Sequence, residues 1–298
     1  MTPTENLTCP RCAGPLKRLA NGRLHCDYCG WEGPLPAPPP DAAVRMETAV
    51  TLPFLISKAE AAQKLGDWLG KGWFKPSDLQ TRAVLQQIRA IHLPAVRVVV
   101  DAESSWSGYD TETEYETVTE TETDEDGEEH TVTRQEPHEV RYPKSGTHTG
   151  RYTYWLPLAG AASQKDLAAL APWKTEMGDQ RPAAEPDEVL KPQWTFEELE
   201  PEIHRLAEAD ERSECAQFVD VLQHVSTTAK VVEKRFYFLP LWSLSYRYGD
   251  KLYPALVNGQ TGAVTGSKPV SWKKVIGLVI GVAAAVGLLI LLIKLLGH

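Results

Sequence analysis

The sequence lacks the short motifs by which most catalytic sites are recognised. It contains no GxSxG, HExxH or GxGxxG run, and His130, His138 and His148 are not spaced as in a metal motif. The segment 262–268 resembles a phosphate loop, but its order of serine and lysine is wrong. We therefore predict that the chain is not an enzyme, although a pocket assembled only in three dimensions is left open as an alternative.

The sequence also lacks an excess of basic residues. It has 31 Lys+Arg against 40 Asp+Glu, a formal net charge of -9. Since polyanions bind to basic faces, this balance disfavours nucleic acid as the general partner. A long apolar segment is missing near the N-terminus as well, so we expect no secretory signal and insertion into a membrane by the tail.

Cysteine is scarce, and four of the five cysteines form two C-x-x-C pairs near the N-terminus. These are Cys9, Cys12, Cys26 and Cys29. Two such pairs are typical of four thiolates that surround one zinc ion tetrahedrally. Asn21-Gly22 lies between the pairs and favours the tight turn that brings them together. We predict a zinc ribbon over residues 1–33, in which the zinc is structural.

A nucleic-acid-binding role for this ribbon is the alternative. Basic and aromatic side chains accompany the predicted hairpin, namely Lys17, Arg18, Arg23, His25, Tyr28 and Trp31. Such side chains could contact phosphates and bases, although they are few for a polyanion partner.

The C-terminal end contains a long apolar run. Val275–Ile293 is uninterrupted by polar residues, and at about 1.5 Å per residue it nearly spans the roughly 30 Å hydrocarbon core of a bilayer. Trp272, Lys273 and Lys274 precede it as the interfacial aromatic and cations of a membrane helix. We predict a single transmembrane anchor over residues 272–298, embedded in the lipid bilayer.

Charge and cysteine usage predict the orientation of this anchor. Lys268, Lys273 and Lys274 lie on its N-terminal side, and the positive-inside rule then places the N-terminal domain in the cytoplasm, at the inner membrane. Zinc thiolates fit that reducing compartment. The remaining cysteine, Cys215, has no motif around it, and we interpret it as incidental.

Small residues in the predicted anchor favour self-association. Gly277 and Gly281 are four residues apart, and such a stripe lets two membrane helices approach closely. A homo-oligomer through these glycines is one hypothesis, and the general abundance of glycine in membrane helices is the alternative explanation.

A proline-rich run, Pro34–Pro40, follows the ribbon. Proline favours an extended and semi-rigid chain, so we predict a linker over residues 34–45 that holds the ribbon away from the rest. Residues 46–271 are long enough for one large cytoplasmic domain or for two small domains in close contact.

Helix and strand signals alternate within this domain. Capping boxes begin at Ser57, Ser77 and Thr195 and predict three amphipathic helices, the second with Val84, Ile88 and Ile91 on its buried face. Residues rich in β-branched and aromatic side chains predict strands at Val96–Val100, Arg151–Trp155, Ala229–Tyr248 and Leu252–Val257. This order indicates an α+β fold with an antiparallel sheet and a possible internal duplication.

The segment 111–123 reads TETEYETVTETET, with threonine and glutamate in alternation. A period of two predicts a strand with one β-branched and one acidic face. Asp126-Gly127 favours a turn into a second strand, which gives an acidic β-arm over about residues 109–135. The arm could dock a basic partner or bind divalent cations weakly, or its charge could simply keep other strands away.

Several segments together resemble a known family. They are the two cysteine pairs, Leu52–Ile56, Trp73–Pro76, Leu239–Trp242 and Val257–Gly262. In these segments the chain resembles bacterial membrane-anchored zinc-ribbon proteins, whose ribbon is of the transcription-factor-IIB type and which are sometimes labelled primosomal-helicase-like. The resemblance implies a C-terminal transmembrane helix and an association with membrane-stress systems built on phage-shock or SPFH proteins.

We therefore expect a tail-anchored adaptor that recruits protein partners to the cytoplasmic face of the membrane. The alternative is a membrane-tethered protein that binds nucleic acid through its zinc ribbon.

Overall fold

β-branched and aromatic residues are frequent in the longest strands of the structure, as their preference for extended backbone leads us to expect. The computed structural model describes residue 9 and residues 11–12, 16–18, 24–26, 29–33, 49–123, 129–176 and 182–296. The strands are β1 Lys17–Arg18, β2 Leu24–His25, β3 Glu32–Gly33, β4 Val50–Thr51, β5 Val84–Thr123, β6 Glu129–Pro157, β7 Glu188–Val189, β8 Val221–Tyr248, β9 Lys251–Asn258 and β10 Val264–Gly266. The α-helices are α1 Lys58–Leu69, α2 Leu79–Arg82, α3 Gln164–Leu170, α4 Phe196–Cys215 and α5 Trp272–Leu296, and a 3-10 turn covers Ala216–Phe218.

Two sheets are formed by the described residues. The small sheet has the order β1-β2-β3 with antiparallel neighbours, and the large sheet has the order β10-β9-β8-β5-β6. β8 and β9 form a hairpin in which Gly249 adopts the left-handed conformation that the turn needs, with φ +59°. The mixture of helices with antiparallel sheet agrees with the predicted α+β class. Two short parallel pairs, β4 with β8 and β5 with β7, were not predicted.

One of the predicted helices is wrong. After Ser77 the chain makes only the four-residue helix α2, whose N-cap is Asp78 without a side-chain capping bond. Val84 then begins β5, so the three apolar residues assigned to a helical face lie on a strand. Their β-branched side chains favour a strand, and pairing with neighbouring strands selects the extended conformation over the helix that their spacing predicted.

Local capping signals were more reliable elsewhere. The predicted capping box of α1 is present, since Ser57 accepts from the backbone of Glu60 and Glu60 accepts from the backbone of Ser57. A fourth box, between Ser163 and Asp166, begins α3 and was overlooked in the sequence. Aspartate at its third position makes it a variant of the usual Ser/Thr-x-x-Glu pattern.

The chain divides into two compact units. The ribbon-bearing unit comprises residues 1–97, 155–196 and 235–298, and the arm-bearing unit comprises residues 98–154 and 197–234. The core of the ribbon-bearing unit consists of two apolar clusters, one around Leu93, Leu167 and Leu239, and one around Phe54, Leu65 and Tyr246. The internal duplication stays a hypothesis.

The acidic β-arm forms a strand pair, as predicted. Nη2 of Arg151 donates to Oδ2 of Asp101 at 2.8 Å, and the hydroxyl of Tyr142 donates to Glu114, so residue numbers fall along β6 as they rise along β5. This register is antiparallel. Nearly all side chains at positions 111–121 and 131–141 are exposed, which means that neither face of the arm is covered within the described chain. The turn at Asp126-Gly127 lies outside the described residues.

Candidate metal centre

The two cysteine pairs converge in the structure. Sγ of Cys9 lies 3.6 Å from Sγ of Cys29, and Sγ of Cys12 lies 3.5 Å from Sγ of Cys26. All four sulfurs lie within 4.8 Å of one another. Cys9, Cys12 and Cys26 are buried and Cys29 is half-buried. This group, the four-cysteine cluster, could hold a metal ion.

The backbone around the second pair explains how the sulfurs come together. Cys26 donates its amide to the carbonyl of Trp31 at 2.8 Å, and the amide of Gly30 donates to the carbonyl of Cys26 at 2.9 Å. Gly30 has φ +70°, a conformation that costs glycine little, and it closes this tight turn around Cys29. Hydrogen bonds from Cys12 and Cys9 lower the pKa of the Cys29 thiol. At Cys9 the hydrogen bond with Cys12 lowers the pKa, but the hydrogen bond with Cys29 and burial outweigh it and raise the pKa to about 12.

The described part of the ribbon lies against the rest of its unit. The indole Nε1 of Trp31 donates to the carbonyl of Gly160 at 2.9 Å, Arg11 lies 3.9 Å from the carboxylate of Asp166, and Leu252 packs against the cysteines. The expectation that a linker holds the ribbon apart is therefore wrong for these residues. The linker itself, residues 34–45, lies outside the described chain. Contacts between distant segments, which spacing cannot reveal, bring the ribbon to this surface.

Trp31 is the main anchor of this contact, so we expect Trp31→Ala to loosen the ribbon without removing its metal. The substitution removes one hydrogen bond and the packing of a large ring, which together correspond to about 2–4 kcal/mol. Amide hydrogen exchange in peptides that contain Cys9 and Cys26 should become faster, while metal content stays unchanged. Trp31→Phe keeps most of the packing and should show a smaller effect. An unchanged exchange rate for Trp31→Ala would mean that Trp31 does not hold the ribbon.

The side chains proposed for nucleic-acid contact are only partly described. Nδ1 of His25 lies 3.2 Å from Oε1 of the acidic residue Glu32, and Trp31 is engaged with Gly160. Lys17 and Arg18 form β1, while Arg23 and Tyr28 lie outside the described residues. The nucleic-acid alternative therefore stays a prediction.

α5 is long and apolar enough to cross a membrane. The segment Trp272–Ile290 contains 19 residues with a mean hydropathy of 2.1, and none of it is buried against the rest of the chain. Gly277 and Gly281 lie on this helix, with open space where a side chain would project. Self-association through them stays a prediction.

The start of α5 contacts a loop that carries exposed aromatic residues. The amide of Ser271 donates to the carbonyl of Phe74 at 2.7 Å, and Nζ of Lys274 donates to the carbonyl of Trp73 at 3.3 Å. Trp73 and Trp272 are 77% and 70% exposed. We call this the Trp73 surface; its residues are Lys71, Trp73, Phe74, Lys75, Trp272, Lys273 and Lys274. The sequence indicated Trp272 and its two lysines but not their position beside Trp73.

Lys268 has a different role from the lysines that follow it. Its Nζ donates to the carbonyls of Trp68 at 2.6 Å and Lys71 at 2.8 Å, and it lies 3.8 Å from the centroid of the Trp68 ring. It thereby satisfies carbonyls at and beyond the C-terminus of α1. Burial lowers the pKa of this ammonium group. Lys268 therefore fastens the segment before α5 to the domain.

A pocket of about 590 Å³ lies in the arm-bearing unit. It is lined by charged side chains, among them Asp101 and Arg151, and Nη2 of Arg151 donates to Oδ2 of Asp101 at 2.8 Å. These hydrogen bonds lower the pKa of Asp101, so the carboxylate is ionised and paired. The pocket gives no indication of a reaction, and the absence of catalysis stays a prediction.

Cys215, which was interpreted as incidental from the sequence, lies beside two other potential metal ligands. It is fully buried in the arm-bearing unit, and its sulfur lies within 4.8 Å of ligand atoms of His148 and Glu211. Glu211 and Cys215 are four residues apart on α4, which was a recognisable signal for a shared helical face. The contribution of His148 comes from a distant strand and could not be read from spacing.

No protein-family model matches this chain, and no solved structure is significantly similar to it. It is 25% identical over 259 residues to the uncharacterized protein YdjG of Bacillus subtilis (strain 168), covering 83% of this chain and 71% of YdjG. The similarity therefore extends far beyond the short ribbon. In the part of the chain that the structure describes, a four-cysteine cluster could hold a metal ion, and one helix is long and apolar enough to cross a membrane.

Proposed function

We propose that this protein is a tail-anchored adaptor that recruits a protein partner to the cytoplasmic face of the inner membrane. α5 is the anchor, the four-cysteine cluster holds a structural zinc ion, and the acidic β-arm is the recruiting surface. The observation that carries the proposal is the arm, which extends β5 and β6 while exposing both of its faces.

The sulfur geometry supports zinc as the metal. Two of the distances between the sulfurs are 3.5 and 3.6 Å. As edges of a regular tetrahedron around a metal ion, they correspond to metal–sulfur distances of about 2.2 Å, close to the roughly 2.3 Å of zinc thiolates. Four thiolates leave no position open for a reacting ligand, which is typical of a structural site. The zinc ion would therefore stabilise the folded ribbon, which lies on the surface of the ribbon-bearing unit.

The Trp73 surface supports the membrane anchor. Tryptophan and phenylalanine favour the interface between headgroups and acyl chains, and lysines favour the anionic cytoplasmic leaflet. In this arrangement the exposed rings of Trp73 and Trp272 would enter the interface on the side where α5 begins. This placement agrees with a cytoplasmic domain held close to the lipid.

The partner that best fits the arm is a basic protein segment. Glu112, Glu116 and Glu120 are exposed and share one strand parity, so their carboxylates project from the same face. β6 stands at the edge of the large sheet, where a further strand could also pair. By the family resemblance, the partner would be a phage-shock or SPFH-type protein.

Neutralising the acidic face tests the proposal. We expect Glu112→Gln, Glu116→Gln and Glu120→Gln together to weaken partner capture about tenfold. Each exposed ion pair with the partner contributes about 0.5 kcal/mol to binding, and the triple variant would lose three of them. The measurement is crosslinking in intact cells, mild-detergent capture of the full-length protein and quantification of recovered proteins and nucleic acid.

The matched control changes three exposed glutamates outside the arm by the same charge. Glu176→Gln, Glu200→Gln and Glu208→Gln should leave capture unchanged. Equal losses in both triple variants would indicate a general charge effect and contradict the arm as recruiting surface. Recovery of nucleic acid instead of protein, with loss on Cys26→Ser, would favour the nucleic-acid alternative.

A further inference from the structure

The arm-bearing unit contains a second group of potential metal ligands. His148 of β6 and Glu211 and Cys215 of α4 each offer one ligand atom, and these atoms lie within 4.8 Å of one another. We call these three residues the His148 cluster. The side chain of Glu211 is completely buried, and Cys215 is 0% exposed. A carboxylate and a thiol in such a position need compensation by hydrogen bonds or by a cation.

Both oxygens of Glu211 are oriented by neighbours. Nδ1 of His148 lies 3.0 Å from Oε2, and the hydroxyl of Tyr152 donates to Oε1 at 2.7 Å. A side chain at Gly150 would collide with Oε1 of Glu211 and with the Tyr152 hydroxyl, so glycine permits this close approach. Tyr152 thus holds one oxygen and leaves the other directed at His148.

Aromatic rings cover the imidazole. The ring centroids of His148 and Phe218 are 5.9 Å apart, and Trp106 stacks on Phe218 with a centroid distance of 5.5 Å. The side chain of His148 is 23% exposed, whereas the other two ligands are inaccessible. Of these two rings, that of Phe218 lies beside the imidazole, and Phe218 is itself 47% exposed, so the cover is partial.

Burial and hydrogen bonds shift the pKa values of Glu211 and Cys215 in opposite directions. Burial raises the pKa of Glu211, but hydrogen bonds from His148, Tyr152 and Ser104 outweigh it, and the net pKa is lowered. Burial and then the charge of Glu211 raise the pKa of the Cys215 thiol.

We propose that the His148 cluster is a second metal site, with His148, Glu211 and Cys215 as ligands. Imidazole, carboxylate and thiolate together suit Zn²⁺, and three protein ligands leave one of its four tetrahedral positions for water. Tyr152 orients Glu211 without contacting the metal. A buried hydrogen-bond network that binds no metal is the competing explanation of the same geometry. This site is independent of the adaptor function and of the four-cysteine cluster.

The metal content of the full-length protein, purified in mild detergent and freed of loosely bound ions, tests this proposal. We expect two zinc ions per chain, one at each cluster. Cys215→Ser and His148→Ala should each lose one of them, Cys26→Ser should lose the other, and a Cys26→Ser/Cys215→Ser variant should bind none. Tyr152→Phe should weaken zinc binding at this site by about tenfold to a hundredfold, as the loss of an orienting partner does.

Cobalt(II) substitution separates the two sites by their spectra. In Cys26→Ser the remaining cobalt should show the weak charge-transfer absorption of a single thiolate, whereas in Cys215→Ser it should show the strong absorption of four. Unchanged amide hydrogen exchange in peptides from β6 and α4 of Cys215→Ser shows that the arm-bearing unit of this variant is folded. One zinc ion per chain in the unaltered protein, unchanged in Cys215→Ser and His148→Ala, would overturn the proposal in favour of the hydrogen-bond network.

Discussion

Cys26→Ser should release the metal of the four-cysteine cluster and unfold the ribbon, with the largest effect on stability of any single substitution considered for this protein. Structural zinc contributes about 10–16 kcal/mol of folding free energy in isolated zinc-finger peptides, and a serine hydroxyl cannot replace the thiolate. Among the described residues of the ribbon, the cysteines form a buried cluster against which Leu16, Trp31 and Leu252 pack, so the metal site lies at the centre of the ribbon's apolar contacts.

Hydrogen exchange provides the readout for this variant. Peptides from residues 9–33 should lose their protection, while peptides from β8 and β9 should keep theirs, because the two apolar clusters of the ribbon-bearing unit do not include the cysteines. Removal of the metal by a chelator should reproduce the same pattern. Cys215→Ser serves as the control, since it changes a buried cysteine outside the ribbon. A protected ribbon in Cys26→Ser would mean that the metal is not its main support.

Two arginines in the middle of α5 should transfer the protein from the membrane to the soluble fraction. Val282→Arg and Val286→Arg each place a cation near the centre of the apolar segment, at a cost of about 2.5–3.5 kcal/mol per residue for insertion. Together the two arginines raise the free energy of membrane insertion by about 5–7 kcal/mol. Trp272, Lys273 and Lys274, which flank the apolar segment, cannot offset this cost. Both valines are exposed in the structure, so the change does not disturb the domain.

The measurement is fractionation of cells that produce the full-length protein, with carbonate extraction of the membranes. Val282→Leu with Val286→Leu keeps the apolar character and should remain in the membrane. If the double arginine variant also remained there, even under carbonate extraction, α5 would not be the anchor. A shift of the arginine variant alone, with the metal still bound, would establish the helix as the membrane-spanning element.

Signals carried by neighbouring residues were read correctly from the sequence. The spacing of Cys9, Cys12, Cys26 and Cys29 predicted their convergence, because each pair needs only one tight turn to direct two sulfurs to one point. The capping box at Ser57 predicted the start of α1, and the apolar run predicted α5. In each case the determining interactions lie within a few residues of one another.

Misreadings arose where distant segments compete for the same residues. The pattern Val84, Ile88 and Ile91 fits a helix, but pairing with other strands of the sheet places it on β5. Trp31 resembled a surface aromatic for nucleic acid, whereas Gly160, which is 129 positions away, accepts its hydrogen bond. The sequence contains both partners but not their distance in space.

The sequence by itself determined the chemistry of the two ends of this protein, the four thiol ligands and the apolar helix, because both depend on local composition and spacing. Only the tertiary structure decided that the ribbon lies against its unit, that Trp73 stands beside the start of α5, and that His148 meets Glu211 and Cys215. These contacts join segments far apart in the chain. Their formation depends on the packing of the whole sheet, which no short stretch of residues specifies.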